Sequence, residues 1–327
     1  MRSDPLLSDP LLSDPLLPDP LLSVRDLRIS FGGVEAVRGV SFDVRPGEVL
    51  ALVGESGAGK SLTARAVLGM APREAEVAGG VLLRGEPISP SHWGRRVALI
   101  PQDALSALSP VHRVGPQLAL AVRGVRRLSA SRARARTEEA LEQVGIPAAR
   151  WSAYPHEFSG GMRQRAVIAM ATVNEPDLVV ADEPTTALDP ETRTRILKVL
   201  AERCRASGAS LLLVTHDLDA VREHADRMAV MYAGRLVEYG PVDRVLARPA
   251  APYTAALLAS LPAGDHPRKS RLPAIPGQQP APDALPPGCA FAPRCAHATD
   301  RCRAEVPVPR RWDGREVACH LNVLEQV

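Results

Sequence analysis

Short runs of apolar residues, each too short to form a helix, recur along this chain and predict the strands of a buried sheet. They occupy residues 49–53, 97–100, 178–181 and 211–214. Apolar runs of four or five residues are typical of strands with little exposure to solvent. The segment at residues 116–171 reads instead as largely helical. The pattern therefore predicts an α/β fold.

The N-terminal part of the chain has a different pattern, in which apolar and polar residues alternate. The segments VRDLRISF and VRGVSFDV, separated by Gly32 and Gly33, predict two strands joined by a tight turn. Phe31 lies at the end of the first strand. Its ring can belong to the core, which the sequence alone favours, or it can stack on a purine ring.

Low-complexity segments mark the expected ends of the main domain. SDPLL occurs three times and PDPLL once within residues 1–22, and this proline-containing repeat predicts disorder. Eight prolines within residues 262–288 predict a linker or a wrapped loop. The expected organisation is a main domain at residues 23–261, a helical subdomain within it at about 103–171, and a linker with a cysteine-rich extension at 262–327.

Composition and charge exclude several classes of protein. The formal net charge of +3 and the aromatic content of 3% argue against nucleic-acid binding. No apolar run approaches the roughly 18 residues of a membrane span, and no signal segment opens the chain. We therefore expect a cytoplasmic protein that reaches a membrane only through a partner. Six arginines between Arg123 and Arg136 read as a solvated helix face.

A glycine-rich stretch follows the first apolar run and matches the pattern G-x-x-x-x-G-K-S at residues 54–61. Glycines let the backbone wrap closely around a phosphate, and the following helix adds partial positive charge at its start. Lys60 would reach the outer phosphates, and the Ser61 hydroxyl can ligate Mg²⁺. The predicted nucleotide contacts are Gly54, Glu55, Ser56, Gly57, Ala58, Gly59, Lys60, Ser61 and Leu62.

Polar residues follow the other apolar runs where a phosphate site would lie. Asp182 and Glu183 end one strand, and we expect Asp182 to hold Mg²⁺ and Glu183 to orient or deprotonate the attacking water. Gln102 follows another strand and can bind Mg²⁺ and that water through its amide oxygen. His216 follows a third strand and can donate a hydrogen bond to the γ-phosphate.

A second predicted anion-binding site lies at the start of a later helix, at Ser159, Gly160 and Gly161. The serine can cap the helix and the glycines expose backbone amides. An SGG tripeptide alone is weak evidence for function, because such residues usually serve only as a cap.

Taken together, these motifs resemble those of the ATP-binding cassette (ABC) ATPases between Val24 and Arg248. The motifs are GESGAGKS at 54–61, Gln102, FSGGMRQR at 158–165, VVADEPTTALD at 179–189 and TH at 215–216. The resemblance implies a P-loop NTPase core sheet of the RecA-like type, with an N-terminal antiparallel β subdomain and a helical subdomain. It also implies that Asp189 contacts a second cassette and that Phe31 matches the adenine-stacking position.

The same resemblance implies a mechanism that uses two chains facing head to tail. Each ATP would lie between the phosphate loop of one chain and the Ser159–Gly161 signature of the other. Met162 stands where many members have glutamine and cannot donate the same hydrogen bonds. This variant is typical of one of two paired ATPases in peptide importers and leans toward a heteromer.

The C-terminal region resembles the extension of oligopeptide and dipeptide importer ATPases. The implied partners are two membrane permease subunits, a second ATPase subunit and, indirectly, an extracytoplasmic solute-binding protein, at the cytoplasmic face of the cell membrane. The alternatives are the same ATPase role for nickel, a metallophore or another solute, and a soluble ABC ATPase outside transport. The cassette itself does not contact the cargo, so its sequence does not decide among them.

Four of the five cysteines crowd the last forty residues, in the spacing C-x₅-C-x₆-C-x₁₆-C. In a reducing compartment such a cluster favours a metal over disulfides. Four thiolates suit a [4Fe–4S] cluster, and the spacing is wide for zinc; zinc, free thiols and disulfides remain alternatives. The candidate ligands are Cys289, Cys295, Cys302 and Cys319. His297 and His320 lie among them and are expected to be spectators.

Overall fold

A computed structural model describes residues 19–186, 188–260 and 274–321 of the chain. Most of the predicted N-terminal repeat and part of the proline-rich linker, at residues 1–18 and 261–273, lie outside these ranges. Among the described helices, none is long and apolar enough to cross a bilayer.

An antiparallel sheet forms the N-terminal part, as the alternating pattern predicts. Its strands are β1 (Leu22–Phe31), β2 (Val34–Val44), β4 (Glu76–Leu83) and β5 (Glu86–Pro87), in the order β2-β1-β4-β5. Leu22, Val24, Leu27 and Ile29 of β1 are fully buried. Alternate side chains of a strand point to the same side, and the register shift between Val24 and Leu27 restores the buried phase for Leu27 and Ile29. The antiparallel β subdomain predicted from the sequence is confirmed.

A second sheet carries the buried strands of the core. Its strands are β3 (Val49–Val53), β6 (Val97–Ile100), β7 (Leu178–Asp182), β8 (Ser210–Val214), β9 (Arg227–Tyr232), β10 (Arg235–Pro241), β11 (Arg310–Trp312) and β12 (Arg315–Val317). Their order is β11-β12-β10-β9-β3-β8-β7-β6. Strands β9, β3, β8, β7 and β6 are parallel, so their carboxyl ends meet at one edge. The four predicted runs are all strands here.

Helices cover this sheet. They are α1 (Lys60–Val67), α2 (Ala104–Ala107), α3 (Val114–Arg126), α4 (Ala130–Gln143), α5 (Gly160–Thr172), α6 (Pro190–Ser207), α7 (Leu218–His224), α8 (Val242–Ala247), α9 (Pro252–Ala259) and α10 (Asp300–Ala304). The region predicted as largely helical is divided, with short 3-10 helices at Ala148–Ser152 and Pro155–Glu157 between α4 and α5. Gly145, which has a positive φ of 74°, and Pro147 interrupt a regular helix there.

The arginine-rich segment is more than a solvated face. The Nε of Arg136 donates to the Val173 carbonyl at 2.7 Å, and Arg126 donates to the Asn174 carbonyl. Both carbonyls lie at the C-terminal end of α5, where unpaired carbonyls and the helix dipole favour cations. Arg134 remains at the surface with Glu138. Arg126 is exposed and Arg136 is partly buried, so both still reach the surface while they bond to carbonyls about forty residues away in sequence.

The C-terminal residues pack against the core and extend its sheet. Strand β12 pairs with β10, and β11 pairs with β12. Arg315 of β12 and Glu238 of β10 form a fully buried ion pair with an N–O distance of 3.0 Å. Phe291 packs edge-on against Tyr232 and Tyr253, with ring centroids 5.3 Å apart in both pairs. The extension and the core thus share one hydrophobic cluster.

Candidate active site

The glycine-rich loop between β3 and α1 has a backbone that side chains would not permit. Gly54, Gly57 and Gly59 have φ values of 152°, 80° and 102°. A Cβ added at Gly54 would lie 2.1 Å from the Met231 carbonyl oxygen, and one at Gly59 would lie 2.8 Å from the Met231 Cε. These glycines are therefore required for the loop to pass the end of β9. Because Gly59 also precedes α1 directly, the first amides of that helix are available to an anion.

Lys60 is buried beneath the loop, with a side chain that is only 5% exposed. Its Nζ donates to the carbonyls of Gly54 and Glu55, at 3.0 Å in both cases. The Nζ also lies 3.9 Å from the Glu183 Oε1. Burial lowers the pKa of Lys60, and the neighbouring carboxylates oppose this shift. The ammonium thus lies at the centre of the loop, where an anionic ligand would stabilise its charge.

Ser61 and Asp182 meet at the start of α1 and the end of β7. The Ser61 hydroxyl donates to the Asp182 Oδ1 at 2.7 Å. Asp182 is 2% exposed, and this burial raises the pKa of its carboxyl group. A hydroxyl and a buried carboxylate are hard oxygen donors that suit Mg²⁺, and a cation would relieve the cost of burying the charge. The pair therefore fits the predicted metal ligands.

Glu183 follows Asp182 in a left-handed conformation, with φ of 45°. Its amide donates to the Val214 carbonyl at 2.9 Å, which anchors it to the end of β8. The Oε2 accepts a hydrogen bond from the Thr186 hydroxyl at 2.9 Å and lies 3.5 Å from the His216 Nδ1. The structure thus brings together Glu183 and His216, two of the three predicted catalytic residues, with Thr186 as an unpredicted partner; the third is Gln102.

Gln102 and Phe31 are two further residues of the predicted site. Gln102 is exposed and follows β6, whose Ile100 pairs with Ala181 of β7; it therefore lies at the same sheet edge as Asp182. The Phe31 ring is partly buried and packs against the core cluster that lies under the antiparallel sheet. Partial burial is compatible with a core role and with stacking on a purine, so both uses stay predictions.

The second predicted anion site lies at the start of α5. The Ser159 Oγ accepts a hydrogen bond from the Met162 amide at 3.2 Å, which is the predicted cap. A Cβ on Gly161 would lie 2.8 Å from the Thr192 Cγ2 of α6, so this glycine lets two helix starts approach closely. Gly160 borders Leu188 in the same way. Ser159 thus lies beside the start of α6.

Asp189 caps α6 and so belongs to this pair of helix starts. Its Oδ1 accepts a hydrogen bond from the Thr192 amide at 3.0 Å, and this bond lowers the pKa of the Asp189 carboxyl. The sequence analysis assigned Asp189 only a contact with a second cassette. The structure adds a cap within its own chain, and the intermolecular contact stays a prediction.

Comparison with known proteins identifies the family. Residues 37–186 match the family model described as ABC transporter, and residues 237–302 match the model described as oligopeptide/dipeptide transporter, C-terminal region. The probable peptide ABC transporter ATP-binding protein y4tR of Sinorhizobium fredii is 45% identical over 302 residues, covering 88% of this chain and 90% of that protein. The chain belongs to the ABC transporter family.

Two further comparisons bear on the extent of this match. The oligopeptide transport ATP-binding protein OppD of Mycobacterium tuberculosis is 46% identical over 300 residues, which cover 88% of this chain. The chain spans about half the length of that relative, 49%. The solved structure of cbiO1 from Clostridium perfringens, part of the ABC transporter complex cbiONQ, has a TM-score of 0.63 and 27% identity. The matched residues cover 71% of this chain and 92% of the cbiO1 chain.

The four cysteines of the C-terminal extension are not arranged as metal ligands in the described structure. The pKa of Cys319 is raised to about 11, chiefly by burial and also by the nearby Cys289, Cys295 and Cys302. Burial also raises the pKa of Cys289 and Cys295. Within the described ranges, which include all four cysteines, no group of three or more Cys, His, Asp or Glu residues could hold a metal ion. The residues as placed do not fit a [4Fe–4S] cluster or Zn²⁺, and that prediction is not confirmed.

Several residues that shape the site carry no recognisable motif. Met231 closes against Gly54 and Gly59, and the Tyr253 hydroxyl accepts a hydrogen bond from the Glu55 amide at 3.0 Å. Arg294 contacts the Glu55 carboxylate at 2.9 Å. Each of them lies more than 170 residues after the loop residue that it contacts. Such contacts produce no local pattern, and only Thr186, within DEPTTALD, lay inside a motif that could have drawn attention to it.

Proposed function

We propose that this chain is the ATP-hydrolysing subunit of an ABC importer, with di- or oligopeptides as its cargo. The observation that carries the proposal is the convergence of Lys60, Ser61, Asp182, Glu183 and His216 at one edge of the parallel sheet. Support for the peptide cargo comes from the relatives named as peptide transport proteins and from the matching C-terminal region.

Nucleotide binding would use the loop and the buried lysine. The amides at residues 57–61 receive the phosphates, and Lys60 turns its ammonium from the loop carbonyls to the outer phosphates. Ser61 and Asp182 would hold Mg²⁺, with Gln102 at the same edge as a further ligand. Mg²⁺ held by these residues would neutralise charge on the phosphates. Phe31 is the candidate for stacking on the adenine ring.

Hydrolysis would depend on the carboxylate of Glu183. The carboxylate accepts a proton from water or orients it for attack on the γ-phosphate. Thr186 and His216 both lie against its Oε2 and fix its direction, and Oε1, which faces Lys60, would accept from the water once Lys60 binds the phosphates. His216 is half exposed, so its other ring nitrogen is free to donate to the γ-phosphate.

Transport would require a second cassette, because the Ser159–Gly161 signature acts on the nucleotide of a partner. The starts of α5 and α6 approach closely at Gly161 and Thr192, and Ser159 and Asp189 cap them. Closure of two cassettes on two ATP molecules would pull two permease subunits together, and hydrolysis would reset them. A solute-binding protein outside the membrane would deliver the cargo. We place the complex at the cytoplasmic face of the cell membrane.

The domain boundaries follow the same proposal. Residues 23–261 would be the cassette, with the helical subdomain at about 103–171, and residues 262–327 the linker and extension. The rival cargoes are nickel, a metallophore or another solute. A soluble ABC ATPase outside transport is the remaining rival. Isolation of this chain from solubilised membranes separates a transporter from a soluble ATPase, since co-purifying permeases support an importer and ribosomes or DNA contradict it.

Replacement of Glu183 by glutamine tests the catalytic role. In the complex with its partner subunits, E183Q should bind MgATP at least as tightly as the wild type and lose at least about 99% of its ATP turnover, because general bases contribute roughly 10²–10⁴-fold. The matched control is Glu202→Gln, an exposed carboxylate of α6 that forms an ion pair with Lys198. Turnover by E183Q above about one-tenth of the wild-type rate would reject Glu183 as the base.

A metal in the C-terminal extension is not part of this proposal, because the four thiols do not fit one as they are placed. The metal content of the protein can nevertheless be measured directly. Iron, zinc and acid-labile sulfide should be determined in protein purified anaerobically. A stoichiometric metal would show that the thiols move from the positions described above.

A further inference from the structure

One segment of the C-terminal extension lies directly against the phosphate loop. Residues 55–57 of the loop and residues 277–282 of the extension line one open cavity. Beside it, the Gln279 Oε1 accepts a hydrogen bond from the Ala233 amide at 3.4 Å, and the Gln279 Nε2 is the nearest atom to a Cβ placed on Gly57, at 3.6 Å. The extension therefore forms one wall of the loop's surroundings.

Arg294 makes the strongest contact across this boundary. Its guanidinium Nη1 donates to both oxygens of the Glu55 carboxylate, at 3.2 and 2.9 Å, and to the Tyr232 hydroxyl at 3.2 Å. Its Nε donates to the Pro276 carbonyl at 2.7 Å. The Arg294 side chain is 6% exposed and that of Glu55 is 25% exposed. An ion pair so well enclosed is screened much less than a surface pair.

Glu55 is held from two directions. Its amide donates to the Tyr253 hydroxyl, and its carboxylate accepts from Arg294. Its carbonyl also accepts from Lys60, the residue that would reach the phosphates. Fixing Glu55 therefore fixes the first turn of the loop.

The charge of Glu55 gives this contact a functional consequence. The Glu55 carboxylate is close enough to act on the charge of Lys60, which would bind a triphosphate with three to four negative charges, and like charges repel. Arg294 offsets this repulsion because its positive charge lies against the carboxylate. Loss of the guanidinium would leave an uncompensated negative charge at the entrance to the site.

We propose that Arg294 is a positioning residue that neutralises Glu55 and holds the phosphate loop in its ATP-binding shape, so that the C-terminal extension sets the affinity for nucleotide. This inference rests on the proposed function of the loop. It assigns the extension a role inside its own chain, whatever the cargo.

The test is a double-mutant cycle on the full chain with its partner subunits, with MgATP and MgADP as the ligands. R294Q should raise the Kd and KM for MgATP about tenfold and leave kcat at saturating ATP within about twofold of the wild type. The loss should be smaller for MgADP, which carries one negative charge fewer. E55Q, which retains Arg294, should bind MgATP at least as tightly as the wild type.

The double variant E55Q/R294Q separates charge compensation from packing. It should regain MgATP affinity to within about threefold of E55Q, because no uncompensated carboxylate remains. R294K should lie between R294Q and the wild type, and it covers the case in which R294Q fails to fold. The matched control is R303Q, since Arg303 of the same extension is exposed and pairs with the exposed Asp300.

Three results would overturn the inference. They are an unchanged Kd in R294Q or R294K, a double variant no better than R294Q, and equal losses for MgATP and MgADP. A wild-type chain that binds no MgATP would instead reject the proposed function. The two failures are therefore distinguishable in the same titration.

Discussion

Removal of Arg315 should test how firmly the extension is joined to the core. Its guanidinium Nη1 contacts the Glu238 Oε1 at 3.0 Å, with both side chains fully buried. It also donates to the carbonyls of Arg244 and Arg248. Arg315→Met keeps most of the apolar volume and removes the charge. Glu238 would then keep only the amides of Ala250 and Ala251 as donors.

The expected loss follows from these contacts. Breaking a buried ion pair by removing one partner costs about 3–5 kcal/mol, because the remaining charge stays buried without compensation. The two backbone carbonyls that lose a donor account for roughly 1 kcal/mol each. In the double variant E238Q/R315M the uncompensated charge is gone, while the amide oxygen still accepts from Ala250 and Ala251. Its loss should therefore fall to about 1–2 kcal/mol.

Equilibrium unfolding in urea at pH 7, followed by tryptophan fluorescence, measures these free energies. Trp312 is a useful reporter because its ring lies 4.7 Å from the Arg315 guanidinium carbon. The control is R303M, which removes an exposed ion pair and should cost less than about 1 kcal/mol. A loss below about 1 kcal/mol in R315M, or a double variant as unstable as the single, would refute the reasoning.

Two further predictions concern pH and metal. Burial lowers the pKa of His224, so the unfolded chain binds the proton more tightly than the folded chain. The stabilisation by neutral His224 is therefore lost as the pH falls below about 6.5, towards the lowered pKa of the folded state. H224Q should reduce the loss of unfolding free energy between pH 7.5 and 5, and an unchanged dependence of that free energy on pH would contradict this. Ser61→Ala should weaken ATP binding about tenfold with Mg²⁺ and little in EDTA, measured by calorimetric titration, because it removes a metal ligand; equal losses in both buffers would contradict a role in holding Mg²⁺.

The elements that the sequence predicted well are those with local causes. Residues 49–53 and 97–100 form strands because short apolar runs favour buried strands. This preference does not depend on which residues pack against them. Gly54, Gly59 and Lys60 form the loop because backbone freedom and charge are properties of those residues themselves. The proximity of Ser61 to Asp182 followed from one geometric rule, that parallel strands end at a common edge.

The elements that it missed have distant partners. Glu238 reads as an ordinary polar position of a strand until Arg315 is found beside it, and the contact of Glu55 with Arg294 joins residues 239 positions apart. Neither partner leaves a periodic signal near the other. The metal predicted from the cysteines is not confirmed, because residue type favours a metal but the spacing does not fix where four thiols point. Phe31 stays undecided because partial burial is compatible with both of its predicted roles.

Residues far along the sequence complete the phosphate loop. Met231 closes on its glycines, and Arg294 contacts its glutamate. On a ribosome that adds about 5–20 residues per second, Arg294 is synthesised roughly 10–50 s after the loop. A nascent chain therefore acquires its finished loop only after residue 294 has been synthesised. Any message cut short before that codon yields a product whose loop is unbraced.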